Sequence, residues 1–200
     1  LSEALAHWKR VEKSAGRATL PSLVVAPTSV LPNWREEAAR FAPALRVLTL
    51  HGARRGEQHA RIAEADLLLT SYPLLARDRE TLTAHEYHLV VFDEAQFLKN
   101  ARTQVHAAAA ALNARHRVAL TGTPIENNLA ELWAHFNLLL PGFLGDARQF
   151  ARAWRTPIER ESDVGRMARL VKRVRPFILR RTRAEVLNDL PAKTEVVRHV

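Results

Sequence analysis

The 200-residue chain has no cysteine. Disulfides and cysteine-ligated zinc are therefore excluded, and a reducing compartment fits it. No apolar run approaches the roughly 20 residues that span a bilayer. No basic start, apolar stretch and small-residue cleavage site opens the chain, so neither a membrane span nor a secretory leader is expected. No glycine is followed by lysine anywhere, which removes the phosphate-binding signature G-x-x-x-x-G-K-[ST]. A G-x-S-x-G elbow and a thiol nucleophile are also missing. The nine histidines form no cluster at metal-ligand spacing with a partner acid, so no zinc site is expected.

What is present reads as a globular protein: 47% hydrophobic and 26% charged residues, with length for one substantial core and an appendage. The net charge of +9 is unevenly placed. Residues 1–150 carry 17 Lys+Arg against 15 Asp+Glu, and residues 151–200 carry 13 against 6. A basic block of this kind meets nucleic-acid phosphates or forms a solvated helix surface, and charge alone does not choose. Leu1, Leu5 and Trp8 share a helical face from the first residue, and Thr194–Val197 is strand-like near the last. Both ends are therefore expected to continue a longer chain.

Short apolar runs recur at Leu23–Ala26, Val47–Leu50, Leu67–Thr70, Leu89–Phe92 and Val118–Leu120. Rich in Val and Leu and bounded by polar or turn residues, they suit strands buried on both faces of a parallel sheet. Helical segments lie between them. Asn33–Phe41 puts Trp34, Ala38 and Phe41 on one face after Pro32, and alanine-rich 101–114 favours helix. The expected fold class is α/β, a mostly parallel sheet flanked by helices. Beyond about residue 140, Pro141, Gly142 and Gly145 punctuate the chain. Helix-prone basic stretches follow at 146–155 and 161–175. The predicted organisation is an α/β unit over 1–145 and a basic helical extension over 146–200.

The sharpest chemical signal is Leu89-Val90-Val91-Phe92-Asp93-Glu94-Ala95-Gln96. An apolar strand ends in two adjacent carboxylates, where parallel sheets open their ligand crevices. Neighbouring strand residues point oppositely, so the two acids can differ in role. Asp93 suits a magnesium-holding acid acting through water, and Glu94 one that orients or deprotonates an attacking water. The plainer alternative is a strand end with two solvated acids. A second strand ends in Thr121-Gly122-Thr123-Pro124. Its hydroxyls can bond a nearby carboxylate or water, and Gly122 permits close backbone approach; alone, it is an ordinary strand-to-loop turn.

Together these segments resemble motifs II and III of superfamily-two helicases. The surrounding text resembles the Swi/Snf-type ATPases: Leu23–Ser29 with Asn33-Trp34, Leu69–Tyr72, Phe97–Asn100, Ile125–Asn128 with Leu132-Trp133, and Leu138–Gly142. Later, Phe177–Thr182 and Asp189–Pro191 also match. The resemblance runs in order along nearly the whole chain. It implies a RecA-like lobe, the first of a two-lobed motor that hydrolyses ATP with Mg2+ and moves on double-stranded DNA. It further implies that Asp93, Glu94, Gln96, Thr121, Gly122 and Thr123 serve the nucleotide. Thr28, Trp34, Thr70, Ser71, Tyr72, Lys99 and Asn100 would lie near the DNA backbone, contacting phosphate without reading sequence. For Trp34 the apolar helix face favours packing over contact.

The sequence departs from the family pattern in two ways. The box reads DEAQ where many members have DEAH; Gln96 can bridge by hydrogen bonds but cannot titrate. The phosphate-binding loop and the second lobe with its arginine finger are not in the chain. The resemblance implies that the loop lies just upstream of Leu1 and that these 200 residues alone hydrolyse no ATP. The rival reading is a DNA- or protein-binding module on the same fold without catalysis, against which the intact acids speak. The arginine- and alanine-rich composition leans toward a bacterial, nucleoid-associated protein of the cytoplasm. A eukaryotic source would place it in the nucleus.

Overall fold

In the computed structural model, described over His7 and residues 19–122 and 128–181, each apolar run falls in a strand. The strands are β1 (Ser22–Ala26), β2 (Val47–Thr49), β3 (Leu67–Ser71), β4 (Glu86–Asp93) and β5 (Asn113–Leu120). They form one sheet, in the order β2-β3-β1-β4-β5, with every pairing parallel. Parallel neighbours need crossovers. The helices that supply them are α1 (Leu31–Phe41), α2 (Tyr72–Arg77), α3 (Arg79–Thr83) and α4 (Gln104–Ala111). A 3-10 stretch over Ala53–Glu64 joins β2 to β3.

Strand alternation sorts the core into two layers. Leu23, Val25, Leu68, Val90 and Phe92 face the side covered by α2, α3 and α4. Val24, Ala26, Leu67, Leu69 and Val91 face α1, which contributes Leu31, Trp34 and Ala38. Phe41, expected on this inner face, is 46% exposed. It closes the last turn of α1, where the Arg40 guanidinium covers its ring instead.

Two other expectations are corrected at β5. The alanine-rich helix ends at Ala111, because Asn113 and Ala114 already pair with Glu86 and Tyr87 of β4. The run Val118–Leu120 is not buried on both faces. Among the described residues β5 has β4 as its only neighbour, so Val118 and Ala119 are half-buried and Leu120 is exposed. Arg117 offsets this openness. It donates to the carbonyls of Leu112 (2.5 Å), Ala110 (3.5 Å) and Leu138 (2.8 Å), where two helices end. Burial lowers its pKa.

Beyond β5 the described residues form helices: α5 (Leu129–Leu139), α6 (Ala147–Phe150), a π-helical turn (Ala151–Arg155), α7 (Thr156–Glu161) and α8 (Val164–Val174). Asn128 and Asp146 cap α5 and α6, the latter through a reciprocal box with Gln149. A third apolar cluster runs from Leu129 and Phe136 to Leu170 and Val174. The division expected after residue 145 falls inside its span. Helix α5 belongs to both sides, since Leu138 packs into the sheet layer.

His106 on α4 ties that helix to the turn after β4, through Nδ1 and the Leu98 carbonyl at 2.9 Å. Its Nε2 is buried without a partner among the described residues. Burial lowers the imidazole's pKa, outweighing the bond to Leu98. The unfolded chain therefore takes up this proton at higher pH than the folded one. Stability from this source is full above about pH 6.5 and falls as the pH drops below it. Denaturant melts should show that decline. His106→Asn keeps an N–H for Leu98 and cannot titrate, so it should flatten the slope by up to about 1.4 kcal/mol per pH unit. An unchanged slope would acquit His106.

Candidate functional site

The site forms where β1 and β4 end side by side. Val25 pairs with Phe92, so the chain leaves both strands at the same level. From β1 it turns toward the β2 edge, and from β4 toward β5. Such diverging connections leave a crevice at the carboxyl ends of the strands.

Asp93, the last residue of β4, is half-buried and accepts three hydrogen bonds. Trp34 Nε1 donates to its Oδ2 at 2.8 Å, and the Glu94 amide to its Oδ1 at 3.0 Å. The Tyr72 hydroxyl donates to its carbonyl at 2.7 Å. Glu94 follows in a left-handed conformation, φ 51° and ψ 53°, which costs a non-glycine residue about 1–3 kcal/mol. That backbone breaks the strand and aims the two carboxylates apart. Gln96 Nε2 then donates to Glu94 Oε2 at 2.9 Å, and Thr121 Oγ1 donates to Gln96 Oε1 at 3.0 Å. The amide's polarity is fixed, because an ionised carboxylate only accepts and must face the NH2 group. A relay Thr121–Gln96–Glu94 thus joins the ends of β5 and β4.

Gly122 is exposed, and a Cβ added there would meet nothing within 4 Å. The close approach expected at this glycine is not made by any described residue. Thr123, with Pro124–Asn127, lies outside the described residues, as do Thr182 and Asp189–Pro191.

The residues expected at the DNA backbone divide into two groups. Thr28 is exposed at the start of the turn after β1. Asn100 is exposed, but its Oδ1 accepts from the Arg102 amide at 3.0 Å and its carbonyl from Thr103 Oγ1 at 3.0 Å, which shapes the turn before α4. Lys99 is half-buried. Thr70, Ser71 and Tyr72 are buried, at 0%, 2% and 2% exposure, so their side chains offer almost no surface to a phosphate. Tyr72 stacks on Phe97 with centroids 5.1 Å apart. Burial and the charges of Asp93 and Glu94 raise its pKa, so the hydroxyl remains a donor. Trp34 turns inward to Asp93 as well.

A cleft that motif reading missed lies at the same edge of the sheet, over the ends of β1, β2 and β3. Two adjoining hollows of about 290 and 630 Å³ share Thr28 and His51 in their walls. Pro32 and Arg35 from α1 line one, and Gly52, Ser71 and Arg77 the other. Arg35, His51 and Arg77 are exposed. Arg55 stands in the same wall but is committed to the buried Asp78, with bonds of 2.7 and 3.0 Å. The sequence signal was faint: single basic residues at strand and helix ends.

The fold and site define a RecA-like α/β lobe with acids at the strand end. A family model described as the SNF2-related domain matches residues 3–200, and the chain belongs to that family. It is 42% identical over 198 residues to the putative ATP-dependent helicase/translocase YwqA of Bacillus subtilis, covering 96% of this chain and 21% of that protein. It is 37% identical over 194 residues to the TATA-binding protein-associated factor MOT1 of Saccharomyces cerevisiae, covering 90% and 10% respectively. A solved Sulfolobus solfataricus SWI2/SNF2 ATPase core in complex with dsDNA superposes with a TM-score of 0.80 at 39% identity, over 90% of this chain and 38% of that one. The chain thus spans about a fifth of YwqA and a tenth of MOT1.

Tyr72→Phe should separate packing from DNA contact. It removes one hydrogen bond, worth about 0.5–1.5 kcal/mol. The melting temperature should fall accordingly, with duplex-DNA affinity within about twofold of the parent. A large loss of DNA affinity at unchanged stability would return Tyr72 to the DNA surface.

Proposed function

We propose that this chain is the first motor lobe of an ATP-dependent double-stranded DNA translocase, with ATP bound over the β1–β4 crevice and the DNA backbone along the basic cleft. The observation that carries the reading is the pair Asp93 and Glu94 at the end of a strand whose last apolar residues, Val90–Phe92, are fully buried, each acid held by separate donors. The relatives named as ATP-dependent helicases support ATP use, and the dsDNA-bound neighbour supports a duplex partner. Among the described residues no helix is long and apolar enough to cross a membrane.

Glu94 takes the role of orienting the attacking water. Gln96 holds Oε2 and keeps the carboxylate an acceptor, so a water donating to it is turned toward the phosphate. Asp93 and Thr121 offer oxygen donors, the kind that suits magnesium. Among the described residues no group of three metal-ligating side chains exists, which fits an ion carried mainly by water and nucleotide phosphates rather than a protein cage. Asp93, holding the ion's water, would be the protein's share. The ion supplies charge neutralisation at the phosphates when bound.

In the full-length protein Glu94→Gln should abolish DNA-stimulated ATP turnover, by at least about a hundredfold, while ATP still binds. Near-normal turnover would overturn the assignment. For the cleft, Arg35→Glu and Arg77→Glu should each weaken binding to all duplex sequences alike. Each should also lower the dependence of log affinity on log salt by about one unit. An unaltered salt slope would place the duplex elsewhere.

A further inference from the structure

Helix α1 has two sides with two duties. Leu31, Pro32 and Arg35 line the basic cleft together with Thr28. The next-door residue, Trp34, is not in that lining, and its indole N–H reaches the Asp93 carboxylate across 59 residues of sequence. A tryptophan there only for packing would leave its N–H to water or to any nearby carbonyl. This one meets an acid, a charge-assisted bond of 2.8 Å. Trp34 takes Oδ2 and the Glu94 amide takes Oδ1. Together they set the carboxylate's rotation, and with it the direction of the lone pairs left for a third donor. No other side chain of the described residues is seen on either oxygen.

We propose that Trp34 is a positioning residue for Asp93, tying the helix that walls the DNA cleft to the acid that meets the nucleotide's magnesium. The inference rests on the reading of Asp93 given above. Outer partners of this kind orient a metal-facing group, and removing one typically lowers metal affinity about 10- to 100-fold. Because the bond springs from α1, a shift of that helix on duplex binding moves the indole and the carboxylate together.

The test is an equilibrium titration of the full-length protein with a fluorescent ATP analogue, with and without Mg2+, and with and without duplex DNA. Trp34→Phe keeps an aromatic ring and removes the N–H. It should cut the affinity gained from Mg2+ by about tenfold and leave metal-free affinity within about twofold. The further gain that duplex DNA confers on the magnesium-bound nucleotide should shrink. In Trp34→His the imidazole Nε2 overlays the indole Nε1 when the five-membered rings are superposed. That variant should recover more of the magnesium gain than Trp34→Phe does. Equal losses with and without Mg2+, no loss, or a His variant no better than Phe would each overturn the proposal. Asp93→Asn separates it from the reading beneath. If that variant loses the magnesium gain while Trp34→Phe keeps it, only the positioning role fails. If Asp93→Asn keeps the gain, the metal-side reading falls and the positioning role with it.

Discussion

The parallel pairing of β1 with β4 fixes where both strands stop, and the site depends on that level edge. Val90, Val91 and Phe92 are fully buried, so a charge placed earlier in β4 would lie in an apolar layer without water. Asp93 is the first position where a carboxylate can stand, and Glu94 leaves the strand altogether in a left-handed turn. Two helices begin at the same edge, α1 after β1 and α2 after β3. Each sends the polar tip of an aromatic back to Asp93, Trp34 to the carboxylate and Tyr72 to the carbonyl. Three neighbouring strands thus contribute to holding one residue. The strain at Glu94 persists because the surrounding bonds over-determine it.

Much of this was legible in the sequence for a physical reason. Strands buried on both faces must be almost continuously apolar, and acids can follow only at their ends, so the runs of β1, β3 and β4 and the Asp93-Glu94 pair stood out. Depth was not legible in the same way. Periodicity put Trp34, Ala38 and Phe41 on one face, but only Ala38 is fully buried. Phe41 lies past the sheet's reach, and Trp34 stops at the edge where an acid waits. The family resemblance placed Thr70, Ser71 and Tyr72 near the DNA backbone. The backbone that carries them is β3, paired on both sides by β1 and β2, and the first turn of α2. The end of the alanine helix was hidden because no glycine or proline marks it. Pairing with β4 ends it, through partners that local sequence does not reveal.

Gln96 illustrates how a family departure becomes intelligible from geometry. It lies between an ionised carboxylate, which requires a donor, and a hydroxyl, which can donate. A neutral amide meets both demands in one orientation and does not itself titrate. An imidazole in that position could also bridge, but its protonation state would follow the pH and its neighbours. The amide makes the link between β4 and β5 insensitive to that variable. His135 supplies a second link nearby, its Nε2 lying 3.0 Å from the Ala95 carbonyl. Helix α5 is thereby held to the turn that carries Gln96.

That link matters because α5 belongs to two cores at once. Leu138 packs with the sheet layer, while Leu129, Leu132 and Phe136 pack with the helical cluster. Among the described residues, three arginines of this extension are committed within the helical region. Arg173 donates to the Phe143 carbonyl at 2.6 Å and covers the Phe143 ring. Arg166 binds the Ala153 carbonyl and pairs with Asp163, and Arg155 pairs with Glu159. These guanidiniums hold short helices together where the apolar cluster is small, a task for which their planar forks are suited. Net charge alone is therefore no measure of the phosphate-binding surface of the extension. Arg35 and Arg77 line a cleft at the carboxyl edge of the sheet, and under the proposed function it is this placement, not a count of charges, that argues for the duplex path.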